Sequence, residues 1–267
     1  MLTAEQHDEF RTTGLLRLDA AFPPAAAETM CDRLWEFLAE RYAIDHGERS
    51  TWTVEKPTGF QAVTHSGVFQ AVGGDPLSTA LDSLFGVDRW VRPRWWGRPL
   101  VTFPGPERWL LPAREWHFDF MPASAGHRPV QFFAFVNEAR PGGGGTLALA
   151  GSYRLVAPYL ARGEAFRMGE VRASLAADPW LRGLWEPERS RRGAGGERGD
   201  DRTERYLNDG ATVDGVPLRV VELTGEPGDV SLMHCDTFHA AAPNRLTEPR
   251  MMLTGMIEPE PAPQVDS

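Results

Sequence analysis

The 267-residue sequence predicts a mainly β protein with flanking helices, folded as a sandwich or barrel. Two observations carry this. Beyond residue 90, short runs rich in β-branched and aromatic residues alternate with Gly and Pro punctuation: Leu100 to Phe103, Val130 to Val136, Thr146 to Ala150, Leu218 to Leu223, Val230 to Met233 and Met251 to Ile257. Before residue 90 the apolar residues instead recur at helical spacing.

The helical part opens at Thr3, which with Gln6 forms a capping box, and the first helix ends at Gly14. Leu15 to Leu18 reads as a short strand. Pro23-Pro24 starts a second helix, with Met30, Leu34, Phe37, Leu38 and Tyr42 as its apolar face. Asp75-Pro76 reads as an N-cap followed by proline at N1. It opens a third helix that turns Leu77, Ala80, Leu81 and Leu84 inward and stops at Gly86. Gly142 to Gly145 is a turn between two strands; no Gly-Lys-Ser/Thr follows, which disfavours a phosphate loop. Residues 186–204 hold one apolar residue, Ala194, and are expected to form a mobile loop or lid. The organisation expected is one domain over 1–267, with a helical part at 1–90 and a barrel at 91–258 interrupted around 186–204.

Composition narrows the function. With 42% hydrophobic residues the chain should be globular, and its formal charge of −9 disfavours nucleic acid and anionic membranes as partners. No apolar run is long enough to span a bilayer and the N-terminus does not read as a signal peptide. Only Cys31 and Cys235 occur, so a disulfide framework is not indicated and a cytoplasmic location is expected. Lys56 is the only lysine among 28 basic residues, which disfavours Schiff-base chemistry.

The chemistry is carried by Trp116-His117-Phe118-Asp119-Phe120. In an extended segment residues i and i+2 share a face, so His117 and Asp119 present an imidazole and a carboxylate together while Phe118 points into packing. Two histidines and one carboxylate on one face of an iron leave three positions open, the ligand set of non-haem Fe(II) oxygenases. Downstream, Gly228-Asp229 leads into a strand, then His239, Pro243-Asn244 and Arg250, eleven residues after His239. His234, eleven residues before Arg245, is the rival second histidine.

With these motifs the sequence resembles the phytanoyl-CoA dioxygenase-like family of Fe(II)/2-oxoglutarate oxygenases over nearly the whole chain apart from 163–215. The stretch from Gln131-Phe132-Phe133 through Gly144-Gly145-Thr146 to Gly151-Ser152 is similar to the family's strand, glycine turn and strand. The resemblance implies a double-stranded β-helix, a jelly-roll or cupin-like barrel. It implies Fe(II) on His117, Asp119 and His239, and 2-oxoglutarate and O2 as cosubstrates. Arg250 would pair with the distal carboxylate of 2-oxoglutarate, with Thr102, Gln131 and Thr146 beside it. The implied reaction oxidises, most simply hydroxylates, a small molecule, as in natural-product biosynthesis. Asp119 stands where related iron halogenases carry a small residue. The family's hydroxyl donor two residues after the second histidine is Ala241 here, and no lysine stands in the cosubstrate context.

Two rival functions are a metal-dependent cupin-like isomerase or hydrolase and a non-catalytic binding module on the same fold. Trp95, Trp96, Trp109 and Trp116 read first as packing around a barrel mouth and second as an apolar or aromatic substrate pocket. His127 and Arg128 read as a solvated loop or as contacts to a polar substrate group.

Overall fold

A computed structural model describes residues 1–105, 109–119, 127–162, 168–186 and 199–261. In chain order the elements are α1 (Ala4–Thr13), β1 (Leu15–Leu18), α2 (Pro24–Tyr42), α3 (Gln61–His65), α4 (Asp75–Phe85), β2 (Arg98–Thr102), β3 (Val130–Phe135) and β4 (Thr146–Ala150). There follow α5 (Tyr153–Leu160), α6 (Met168–Leu175), α7 (Pro179–Trp185), α8 (Gly199–Glu204), β5 (Ala211–Val213), β6 (Val216–Glu222), β7 (Val230–His234), β8 (His239–Ala241) and β9 (Arg250–Ile257).

Among the described residues the strands form two antiparallel sheets, one of order β1-β7-β3-β9-β2 and one of order β5-β6-β4-β8. β3 is buried along its whole length because both its faces are covered. Phe132 and Ala134 pack outward under the N-terminal helices with Met30, Leu34 and Leu81. Phe133 and Phe135 point between the sheets toward Ala148, Met233 and Met252. The outer face of the smaller sheet, Leu147, Leu149 and Val220, is covered by Val156, Val171, Leu181 and Trp185 of α5, α6 and α7. The result is helices, sheet, sheet, helices, with a thin apolar layer between the sheets.

The local signals at the N-terminus act as expected. The Thr3 hydroxyl accepts from the Gln6 amide at 3.2 Å while the Gln6 side chain accepts from the Thr3 amide at 2.9 Å. Gly14 closes α1 at φ 73°, and a Cβ there would stand 2.8 Å from the Tyr153 ring. The chain leaves this point as β1, whose Leu16 lies opposite Leu232 of β7.

Several expectations need correction. α4 starts one residue earlier than the Asp75 cap implies: Gly74 is the N-cap, since the Ser78 amide already bonds its carbonyl at 3.0 Å, and Asp75 and Pro76 are inside the helix. Phe85 joins its buried face, and Leu84 packs half-buried against the same core. The strand expected at Leu15 to Leu18 is present, and as β1 it joins the larger sheet formed mostly by the later strands. The region expected to be barrel contains α5 to α8. Of the expected lid, 187–198 lies outside the described residues, while 199–204 is helical; Arg202 of α8 donates to the Leu184 carbonyl at 2.6 Å, which ties it to α7. Among the described residues no helix is long and apolar enough to cross a membrane.

Candidate functional site

His117 and His239 face each other across a backbone bridge. The His117 amide donates to the His239 carbonyl at 3.0 Å, and the His239 amide returns a bond at 2.7 Å. Residues directly opposite in an antiparallel pair project to the same side. That pairing, rather than sequence proximity, brings the two rings to 4.3 Å between centroids. The Asp119 amide donates to the Cys235 carbonyl at 3.2 Å, so the segment stays extended and its carboxylate joins the histidines. Asp119 Oδ2 lies 3.9 Å from His239 Nε2, and one donor atom from each of the three residues lies within 4.8 Å of the others. Phe118 faces the opposite way, edge-on to Phe238 at 5.0 Å.

The rings are held in one tautomer. His117 Nδ1 donates to the Glu115 carbonyl at 2.8 Å and His239 Nδ1 to the Thr237 carbonyl at 3.0 Å. A carbonyl only accepts, so Nδ1 carries the proton in both and Nε2 keeps its lone pair. Burial, reinforced by neighbouring His117, holds His239 below the usual histidine pKa and therefore neutral. These are the features that a divalent metal requires of its imidazole ligands.

The three residues open onto a cavity of about 590 Å3 that Thr102, Gln131, Thr146 and Arg250 also line. Each owes its position to strand alternation and register. Thr102 of β2 lies opposite Arg250 of β9, Gln131 shares the inner face of β3 with Phe133, and Thr146 of β4 lies opposite Ala241 of β8. The Arg250 side chain is buried. It donates from Nε to the Gly144 carbonyl at 2.8 Å, and from its terminal nitrogens to the Leu100 carbonyl at 3.0 Å and the Thr102 hydroxyl at 2.7 Å. Guanidinium has five N–H bonds, so one on each terminal nitrogen is left over. Among the described residues no carboxylate lies within ion-pair distance of it. Burial lowers its pKa to about 10, the nearby Glu222 charge opposing, which leaves it cationic at neutral pH. Gln131 donates to the Thr254 hydroxyl at 3.2 Å, while its buried Oε1 has no partner.

Residues without an obvious catalytic signature build this floor. Glu222 accepts from the Gly142 amide at 2.7 Å and the Gly145 amide at 3.2 Å, which folds the glycine turn and presents Gly144 to Arg250. Asn244 donates to the Thr102 carbonyl at 3.0 Å and the Glu248 carbonyl at 2.8 Å, which gives the Pro243-Asn244 pair a physical role. Lys56, the lone lysine, lines the cavity mouth. Nothing local in the sequence marks it; it is placed by the Phe103 amide bonding the Glu55 carbonyl at 2.8 Å.

The rival histidine lies elsewhere. His234 stacks on Tyr153 at 4.2 Å and does not line the cavity that holds His117. Its neighbours Cys235 and Asp236 also have ligand-like spacing, but Arg128 forks both Asp236 oxygens and burial raises the Cys235 thiol pKa far above its usual range. Arg128 is thus a structural ion-pair partner. The tryptophans serve packing: Trp96 is buried under the N-terminal helices and Trp116 between the smaller sheet and its helices. Among the described residues none of these tryptophans lines the cavity, whose aromatic residues other than histidine are Phe60 and Phe133.

No family model matches the chain, and no curated protein matches it. Solved structures do. The chain is similar to HygX from Streptomyces hygroscopicus, crystallised with nickel and 2-oxoglutarate: TM-score 0.54, 17% identity, 97% of this chain and 88% of that one. It is similar to EvdO2 from Micromonospora carbonacea var. aurantiaca complexed with 2-oxoglutarate: TM-score 0.54, 16% identity, 100% and 98% covered. It is also similar to the epimerase SnoN in complex with Fe3+, alpha ketoglutarate and nogalamycin RO: TM-score 0.53, 14% identity, 98% and 91% covered. The likeness is one of fold.

Proposed function

We propose that this chain is an Fe(II)- and 2-oxoglutarate-dependent oxygenase of the phytanoyl-CoA dioxygenase-like type, one catalytic unit on a double-stranded β-helix, acting on a small molecule. The observation that carries the proposal is Arg250. A buried cation with two free N–H donors and, among the described residues, no ion-pair partner is costly unless an anion completes it. It shares a cavity with two histidines and a carboxylate at metal-ligand spacing. HygX, EvdO2 and SnoN, on the same fold, hold a metal, 2-oxoglutarate or both.

His117, Asp119 and His239 would hold Fe(II) through two Nε2 atoms and a carboxylate oxygen, a set suited to that ion. When bound, the iron, 2-oxoglutarate and O2 together supply an oxidant for an unactivated C–H bond, 2-oxoglutarate leaving as succinate and CO2. Arg250 and Thr102 would receive the distal carboxylate, Arg250 through a two-point fork. Gln131 Oε1 and the Thr146 hydroxyl would face the remaining polar edge. Phe133 keeps one wall apolar and limits water. Hydroxylation is the simplest outcome. SnoN is an epimerase, so on this fold substrate placement can direct a different one. The test is O2-dependent conversion of 2-oxoglutarate to succinate by the Fe(II)-loaded protein. Succinate formed only with iron and O2 supports the reading; none in either condition, with candidate substrates present, overturns it.

A further inference from the structure

We infer that the primary substrate carries an anionic group, a phosphate, sulfate or carboxylate, that binds Lys56 and Arg98 at the cavity mouth. The inference rests on the oxygenase reading, because it assigns Arg250 to the cosubstrate.

The charge distribution motivates it. The chain has 37 acidic and 28 basic residues, yet among the described residues the only acid lining this cavity is Asp119, a metal-ligand candidate. Lys56, Arg98 and Arg250 line it as well. Arg98 has no ion-pair partner among the described residues. Lys56 has only Glu55 at 3.8 Å, with both side chains about half exposed, a pairing worth little in solvent. Both cations are therefore free to take a ligand charge.

Position separates them from the cosubstrate. Arg98, Leu100 and Thr102 share one face of β2, with Thr102 against Arg250 on the floor and Arg98 opposite Thr254 nearer the opening. Four residues of strand put the Arg98 backbone ~13 Å from that of Thr102, so the two stand at different ends of the cavity wall. Thr58, Gln61 and Thr64 line the same mouth and add polar contacts. A small anion entering an otherwise acidic protein would be drawn to this rim, and the attraction would weaken with salt.

Anaerobic calorimetry on protein loaded with Fe(II) and 2-oxoglutarate tests this, with phenyl phosphate, benzoate and neutral phenol as probes. Phenyl phosphate or benzoate should bind wild type at least about tenfold more tightly than phenol, and the stronger of the two assigns the anion type. The Lys56→Gln/Arg98→Gln double variant should lose at least about tenfold of that affinity and bind 2-oxoglutarate as wild type does. Phenol binding as well as the anions, or a double variant that keeps its anion affinity, overturns the inference. So does a wild type that takes 2-oxoglutarate but neither anion. Weaker 2-oxoglutarate binding by Arg98→Gln also overturns it, by placing Arg98 in the cosubstrate site. Wild type that takes no 2-oxoglutarate overturns the oxygenase reading instead.

Discussion

At Arg250, burial and charge oppose each other. The side chain is buried with its pKa lowered to about 10, yet three hydrogen bonds fix its plane so that two donors are left for a ligand. Replacing it by Met should raise the apparent 2-oxoglutarate constant at least about tenfold, since losing one partner of a desolvated charge pair costs on the order of 2–5 kcal/mol. Fe(II) affinity should hold, and an unchanged constant would remove Arg250 from the cosubstrate site. His234 supports a separate prediction. Burial lowers its pKa from 6.5 to about 4, against the pull of Asp236. The unfolded chain therefore takes up the proton first as pH falls. The stability tied to neutral His234 is complete above pH 6.5 and is lost between 6.5 and 4, up to about 3 kcal/mol. Urea midpoints across that window should fall more steeply for wild type than for His234→Asn; equal slopes would contradict the burial argument.

Elements show where sequence signals suffice. The short apolar runs marked seven strands, and each of them has a sheet partner. α6 and α7 were not legible by periodicity, being 8 and 7 residues long, too short to display a stripe. One signal was available: Asp178-Pro179 repeats the pair at Asp75-Pro76, and there the carboxylate does cap, accepting from the Trp180 and Leu181 amides at 2.8 and 3.1 Å. Packing against an element also sets residue size. The turn before α4 passes under Trp96 so closely that a Cβ on Gly73 would stand 2.0 Å from the indole. Gly73→Ala should destabilise by about 1–3 kcal/mol through overpacking, seen in chemical denaturation; a neutral effect would mean that the Trp96 ring moves freely.

At the scale of the molecule, the two sheets enclose an apolar layer at one end and the cavity at the other. His117 and Asp119 were legible together because a period of two is local. His239 lies more than a hundred residues on, and only the family pattern in the sequence singled it out from His234. Lys56 and Glu222 were not legible as cavity and floor residues, since only tertiary pairing brings them there. The assembled set makes a further prediction about outcome. Asp119 would fill the metal position that a halide needs, so turnover in chloride or bromide should give oxygenated, desaturated or cyclised products. A halogenated product by mass spectrometry would show that Asp119 is not a ligand.

The most direct measurement is an anaerobic titration of Fe(II), then 2-oxoglutarate, into wild type and into His117→Ala, Asp119→Ala, His239→Ala and His234→Ala. The expected result is 2-oxoglutarate binding that requires iron in wild type, persists in His234→Ala, and is lost with the metal in the other three. Iron retained by His239→Ala and lost by His234→Ala would contradict the account.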